Sequence, residues 1–105
     1  MSPGKTAAQA GHAFLDSYLA TLRRSPEIID EYKAGHGIKI CLAAADLEVL
    51  RDTAARALQA GVAHQLITDL GYTQFEGVPT ITALGIGPIQ KSVAGPICGH
   101  LPLLR

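Results

Sequence analysis

Residues 38–43 constrain this chain more than any other stretch. They are short, rich in β-branched side chains and nearly all apolar, the pattern of a strand buried on both faces. Asp46 then stands where a helix cap is needed, and the helix it opens runs to about residue 60, where Gly61 stops it. Its inner stripe is Leu47, Leu50, Ala54, Ala57 and Leu58, while Asp52 and Arg56 can pair four residues apart on the outer face. Residues 63–68 read as a second strand. A buried strand, a helix and a further strand in that order are compatible with a right-handed parallel crossover, and α/β layering follows.

The flanking segments fit the same class. Residues 6–24 have helical periodicity, with Ala8, Leu15, Leu19 and Leu22 on one face and Phe14 and Tyr18 beside it. The cluster Ala7, Ala8, Ala10, Gly11 and Ala13 is unusually small, so this helix can lie close to a sheet or a ligand. Ser25-Pro26 reads as a cap followed by proline at the first helical position, opening a short helix to about Lys33 that Gly35 to Gly37 end. A third strand is expected over residues 80–86, terminated by Gly85, Gly87 and Pro88. Between the second and third strands lies a polar, glycine-containing connection of hairpin-compatible length. The tail holds a short helix near residues 89–93 and an extended end at 101–104.

At 105 residues the chain is one domain, 1–105, and too short for two. Nine basic side chains balance nine acidic ones, a composition mildly against binding nucleic acid by bulk charge. No run is long enough to cross a membrane and no apolar signal core opens the chain. Cys41 and Cys98 lack metal-ligand spacing, and Cys41 in its apolar run reads as a buried thiol. A reducing compartment, the cytoplasm or its equivalent, is inferred.

Lys5, Gln9 and His12 fall at i, i+4 and i+7, on one helix face. A lysine in the first turn is not favoured by the helix dipole, so an anionic ligand can hold it there, with the free N–H groups of the helix start as further donors. Taken singly, each reads more simply as a solvated lysine, a surface glutamine and a satisfied histidine. Asp69 follows a strand, with Thr73 and Gln74 four and five residues on. A carboxylate so placed can orient a water or act as a general base, although these are also ordinary turn residues. His36, His64 and the Gly85-Ile86-Gly87-Pro88 stretch have no partners or endings that make them a site.

Together these segments resemble the peptidyl-tRNA hydrolases first recognised in archaea and eukaryotes. Residues 4–13 (GKTAAQAGHA) are similar to that family's opening G-K-[IV]-A-A-Q-x-x-H-A, and residues 66–74 (LITDLGYTQ) to its L-I-x-D-A-G-R-T-Q. Residues 82–88 (TALGIGP) resemble its T-V-L-[AG]-I-G-P, and Gly99-His100-Leu101 its closing G-H-L. The four motifs stand in order and cover essentially the whole chain. The resemblance implies a three-layer α/β/α domain with a small mixed sheet of four strands. It also implies hydrolysis of the ester between a peptide and the terminal ribose of tRNA, with no metal or organic cofactor. On that reading Lys5, Asp69, Thr73 and Gln74 are catalytic, and Gly4, Gln9, His12 and His100 bind substrate.

The departures are specific. The family's arginine before T-Q is Tyr72, and the lysines flanking its G-H-L end are Pro96 and Pro102. Fewer phosphate contacts mean weaker tRNA binding and a flatter salt dependence. The family's first strand, which lies between two others, has no counterpart before Gly4. Either Met1 is an internal start or a second copy covers the gap, since an open slot exposes apolar edges and invites a homodimer. The competing function is a non-catalytic or differently specific relative, a binding module with weakened tRNA affinity.

Overall fold

A computed structural model describes residues 1–71 and 78–105. Four helices and two strands follow in the order α1 (Pro3–Arg24), α2 (Pro26–Ala34), α3 (Leu47–Gln59), β1 (His64–Asp69), β2 (Thr80–Ile86) and α4 (Lys91–Cys98). The α/β class expected from the sequence holds. The caps form largely where the residues indicate. Asp46 accepts from the Val49 N–H at 3.0 Å, Gly61 takes a positive φ of 70° just past α3, and Arg56 donates to Asp52 at 3.0 Å. Ser25 precedes α2 as expected, but its side chain makes no cap hydrogen bond.

Strands β1 and β2 pair antiparallel, from His64 opposite Ile86 to Asp69 opposite Thr80. Helix α1 covers both strands on one face, and α3 lies against both on the other, with α4 packed on α3. The face each strand residue occupies can be read from two contacts. A Cβ on Gly85 would lie 2.1 Å from the Ala13 carbonyl oxygen, so Gly85 faces α1. Its neighbour Ile86 packs on Ala57, Val62 and Ile97, so it faces α3 and α4.

That close approach reverses the expected orientation of α1. The buried residues are Gln9, Ala13, Ser17 and Thr21, one small or polar residue per turn, whereas Leu15 and Leu22 are 56 % and 42 % exposed. With the Ala13 backbone set against Gly85 there is no room for leucines between helix and sheet. Of the small cluster only Ala13 is buried, while Ala7, Ala8 and Gly11 are exposed, so neither that cluster nor the leucine stripe marks the packed face. In α3, Ala54 and Ala57 are buried as expected, but Leu47 and Leu58 are exposed and Thr53 takes an inner place, its hydroxyl donating to Val49 O at 2.8 Å.

Residues 38–43 differ most from expectation. Ile38 and Ile40 are 72 % and 63 % exposed, and only Leu42 pairs, in an isolated antiparallel bridge to Leu103. The bridge has two hydrogen bonds, Ala43 N–H to Pro102 O at 2.8 Å and Leu104 N–H to Cys41 O at 3.0 Å. A strand persists only where neighbours satisfy its backbone, and no second strand lies beside Ile38 or Ile40 among the described residues. The sheet described here is accordingly two-stranded and antiparallel rather than mixed, and the parallel crossover does not form. Cys41 is half-buried rather than enclosed. The tail helix starts two residues later than expected and continues to Cys98 with Pro96 inside it.

Candidate active site

The described site residues meet where the start of α1 passes over the end of β1 and the start of β2. Ser2 caps α1, accepting from the Lys5 N–H at 3.2 Å, and proline follows at the first helical position. The cap sets Lys5 in the first turn, and its ammonium pairs with Oδ2 of Asp69, the last residue of β1. The anion that offsets the unfavourable dipole position of Lys5 is thus a carboxylate of the same chain. The pair is well removed from water, with side chains 15 % and 8 % exposed.

The other Asp69 oxygen, Oδ1, accepts from the Gly71 N–H at 2.7 Å. Gly71 has φ 87°, a conformation that folds the chain back on the carboxylate and that glycine adopts without strain. The hydrogen bond from Lys5 holds the Asp69 carboxyl below its ordinary value of 3.8; the Gly71 N–H lowers it further, burial opposes, and the charges of Lys5 and His12 add to the lowering. Asp69 is therefore ionised throughout the neutral range. A carboxyl depressed in the fold contributes stability that is present above its unfolded value and is lost as pH falls through the folded one. Asp69→Asn is expected to flatten the fall in melting temperature below about pH 4. A variant whose acid limb matches the wild type would show that the pair does not contribute to it.

Gln9 lies one turn beyond Lys5 and is 5 % exposed. Its Oε1 accepts from the Thr82 hydroxyl of β2 at 2.5 Å. His12 is on the exposed side of α1, near enough for its charge to act on Asp69. Gly4 is exposed, with nothing within 4 Å of where a Cβ would stand, so space above the helix start is open. Lys5, Gln9 and Asp69 are thus brought together, with His12 at the rim. His100 is exposed just past α4, and no hydrogen bond or ion pair joins it to the others among the described residues. Thr73 and Gln74 lie outside the described residues.

One participant was not singled out from the sequence. Thr82 reaches Gln9 because β2 carries a bulge. Ile67 opposes Ala83 while Thr68 opposes Ile81, which leaves Thr82 without a partner. Strict alternation would put Thr82 on the α3 face with Leu84 and Ile86; the extra residue turns Thr82 and Thr80 to the α1 face, Thr82 under Gln9 and Thr80 beside Asp69. Nothing in Thr80-Ile81-Thr82 marks a bulge, so the alternation of the sequence points Thr82 the wrong way.

A paired lysine and carboxylate with a buried amide, set at a strand end under a helix start, form the polar site of a small α/β domain. The family model for peptidyl-tRNA hydrolase PTH2 matches residues 1–104. The chain is 35 % identical over 104 residues to a peptidyl-tRNA hydrolase of Methanocaldococcus jannaschii, covering 99 % of this chain and 90 % of that protein. It is 35 % identical over 105 residues to one from Methanopyrus kandleri, covering all of this chain and 89 % of the relative. The mitochondrial peptidyl-tRNA hydrolase 2 of Mus musculus is 37 % identical over 103 residues, 98 % of this chain and 56 % of that protein. The chain therefore spans most of its archaeal relatives and little more than half of the mammalian one. It belongs to the PTH2 family of peptidyl-tRNA hydrolases.

Proposed function

We propose that this protein hydrolyses the ester joining a peptide to the terminal ribose of tRNA, releasing the peptide and freeing the tRNA. The observation that carries the reading is the Lys5–Asp69 pair, held out of water at the helix start in a chain of this family. Water adds to the ester carbonyl carbon, the carbonyl oxygen becomes an oxyanion, and the ribose oxygen leaves with a proton. Lys5 is the cation available to that oxyanion or to a nearby phosphate. Asp69, ionised and weakly basic, suits orienting the attacking water better than taking its proton outright. Gln9 and His12 support substrate from the helix. Thr73 and Gln74, four and five residues beyond Asp69, position substrate or water, and Gly4 leaves room for it. His100 is kept as a substrate contact on the strength of the G-H-L resemblance alone. The test is release of N-acetylated amino acid from N-acetyl-aminoacyl-tRNA at low salt. Absence of release by the wild type, with binding of the same tRNA retained, would replace the enzyme by a binding module.

No helix among the described residues is long and apolar enough to cross a membrane. A cytoplasmic site of action fits two free cysteines; fractionation of cells that make the protein tests it. A homodimer is the proposed assembly, since Ile38 and Ile40 are exposed and no strand lies beside them among the described residues. Sedimentation equilibrium is expected to show concentration-dependent association that Ile38→Lys with Ile40→Lys weakens. A wild type monomeric at all concentrations would remove the dimer.

A further inference from the structure

We infer that Thr82 is a positioning residue for the reaction, turned to the helix face by the β2 bulge so that it fixes which end of the Gln9 amide meets substrate. The inference rests on the hydrolase reading of the site.

The contact between Thr82 Oγ1 and Gln9 Oε1 is 2.5 Å long. That length belongs to an O–H···O bond and is short of the N–H···O range, so the amide turns its oxygen to Thr82. The Nε2 donors then point away from the strand. Among the described residues Nε2 has no acceptor, although Gln9 as a whole is 5 % exposed. With its acceptor end occupied by Thr82 and no acceptor for Nε2 among the described residues, this buried glutamine fits a ligand with an acceptor oxygen. The substrate's ester end offers the carbonyl and the ribose hydroxyl oxygens. Gln9 sits one turn from Lys5, so an oxygen held by Nε2 is brought toward the Lys5–Asp69 pair.

Without the bulge this arrangement does not form. Strict alternation would turn Thr82 to the α3 face, leaving the acceptor end of Gln9 unpaired beneath the helix. A freed amide can then rotate and present Oε1 to the substrate oxygen, acceptor against acceptor.

The experiment compares Thr82→Val, Thr82→Ala and Thr82→Ser in N-acetyl-aminoacyl-tRNA hydrolysis, with melting temperatures measured alongside. Thr82→Val is expected to lower kcat/KM about tenfold, the worth of one hydrogen bond, and Thr82→Ser to recover most of that loss. Thr82→Ala serves if the valine variant does not fold. In the Gln9→Met background the valine substitution is expected to cost little more, because both act through one contact. Wild-type kinetics for the valine and alanine variants, or a loss fully additive to that of Gln9→Met, would overturn the inference. If the wild type shows no turnover, the hydrolase reading fails and the contact is judged separately by the Gln9 side-chain amide resonances. Their displacement in Thr82→Val but not in Thr82→Ser supports the positioning contact, and their constancy in both overturns it.

Discussion

Lys5→Ala and Asp69→Asn are each expected to lower peptidyl-tRNA ester hydrolysis by roughly 100- to 1,000-fold, the cost of removing one preorganised electrostatic group from a reaction centre. The two losses arise differently. Lys5→Ala removes the cation and leaves the buried Asp69 carboxylate, among the described residues, with the Gly71 N–H alone, so its carboxyl rises toward the ordinary range and its charge is less well held. Asp69→Asn keeps an oxygen for Gly71 but withdraws the charge that pairs with Lys5 and, in the proposed reaction, orients the water. Combined, they are expected to cost far less than the product of the two, since the residues act as one unit. Single-turnover kinetics on purified substrate, with folding checked by melting, measures this. Near-wild-type turnover in either variant would remove the pair from the chemistry.

Gly85→Ala is expected to have the second large effect, on the fold itself. The added methyl carbon would lie 2.1 Å from the Ala13 carbonyl oxygen and 2.8 Å from its carbon. Backbone, unlike a flexible side-chain end, cannot turn aside, so α1 must lift from the sheet. Overpacking of this kind costs about 1–3 kcal/mol or more. The variant is expected to melt well below the wild type, or to be recovered unfolded, in a thermal scan. Because Gln9 is one turn from Ala13, any folded fraction should also lose activity. An unchanged melting temperature would mean that helix and strand are not in this contact.

Much of this was legible from residue types. Asp46, Gly61 and the Asp52–Arg56 pair announced α3, and Gly35 the end of α2, because caps and turns are local and depend on few atoms. The Lys5, Gln9 and His12 face was legible as a face, and its conjunction with Asp69 came from motif order rather than from any one residue. What escaped was decided by neighbours. The leucines of α1 formed the more hydrophobic stripe, yet a glycine seventy residues away determined which side could approach the sheet. Residues 38–43 have strand composition, yet a strand requires a partner that composition does not supply. Thr82 required a bulge, and a bulge is a property of two strands read together.

The bridge between Leu42 and Leu103 has a consequence for how the molecule opens. Two hydrogen bonds join residues 41–43 to 102–104, and the backbone of neither partner is held by a longer ladder among the described residues. Release of one partner frees the other, so these two remote stretches form a single cooperative unit with a local opening free energy far below that of α1 or the hairpin. The C-terminal stretch and the middle of the chain therefore breathe together, and a change made at the C-terminal end is felt first at residues 41–43 rather than at Lys5.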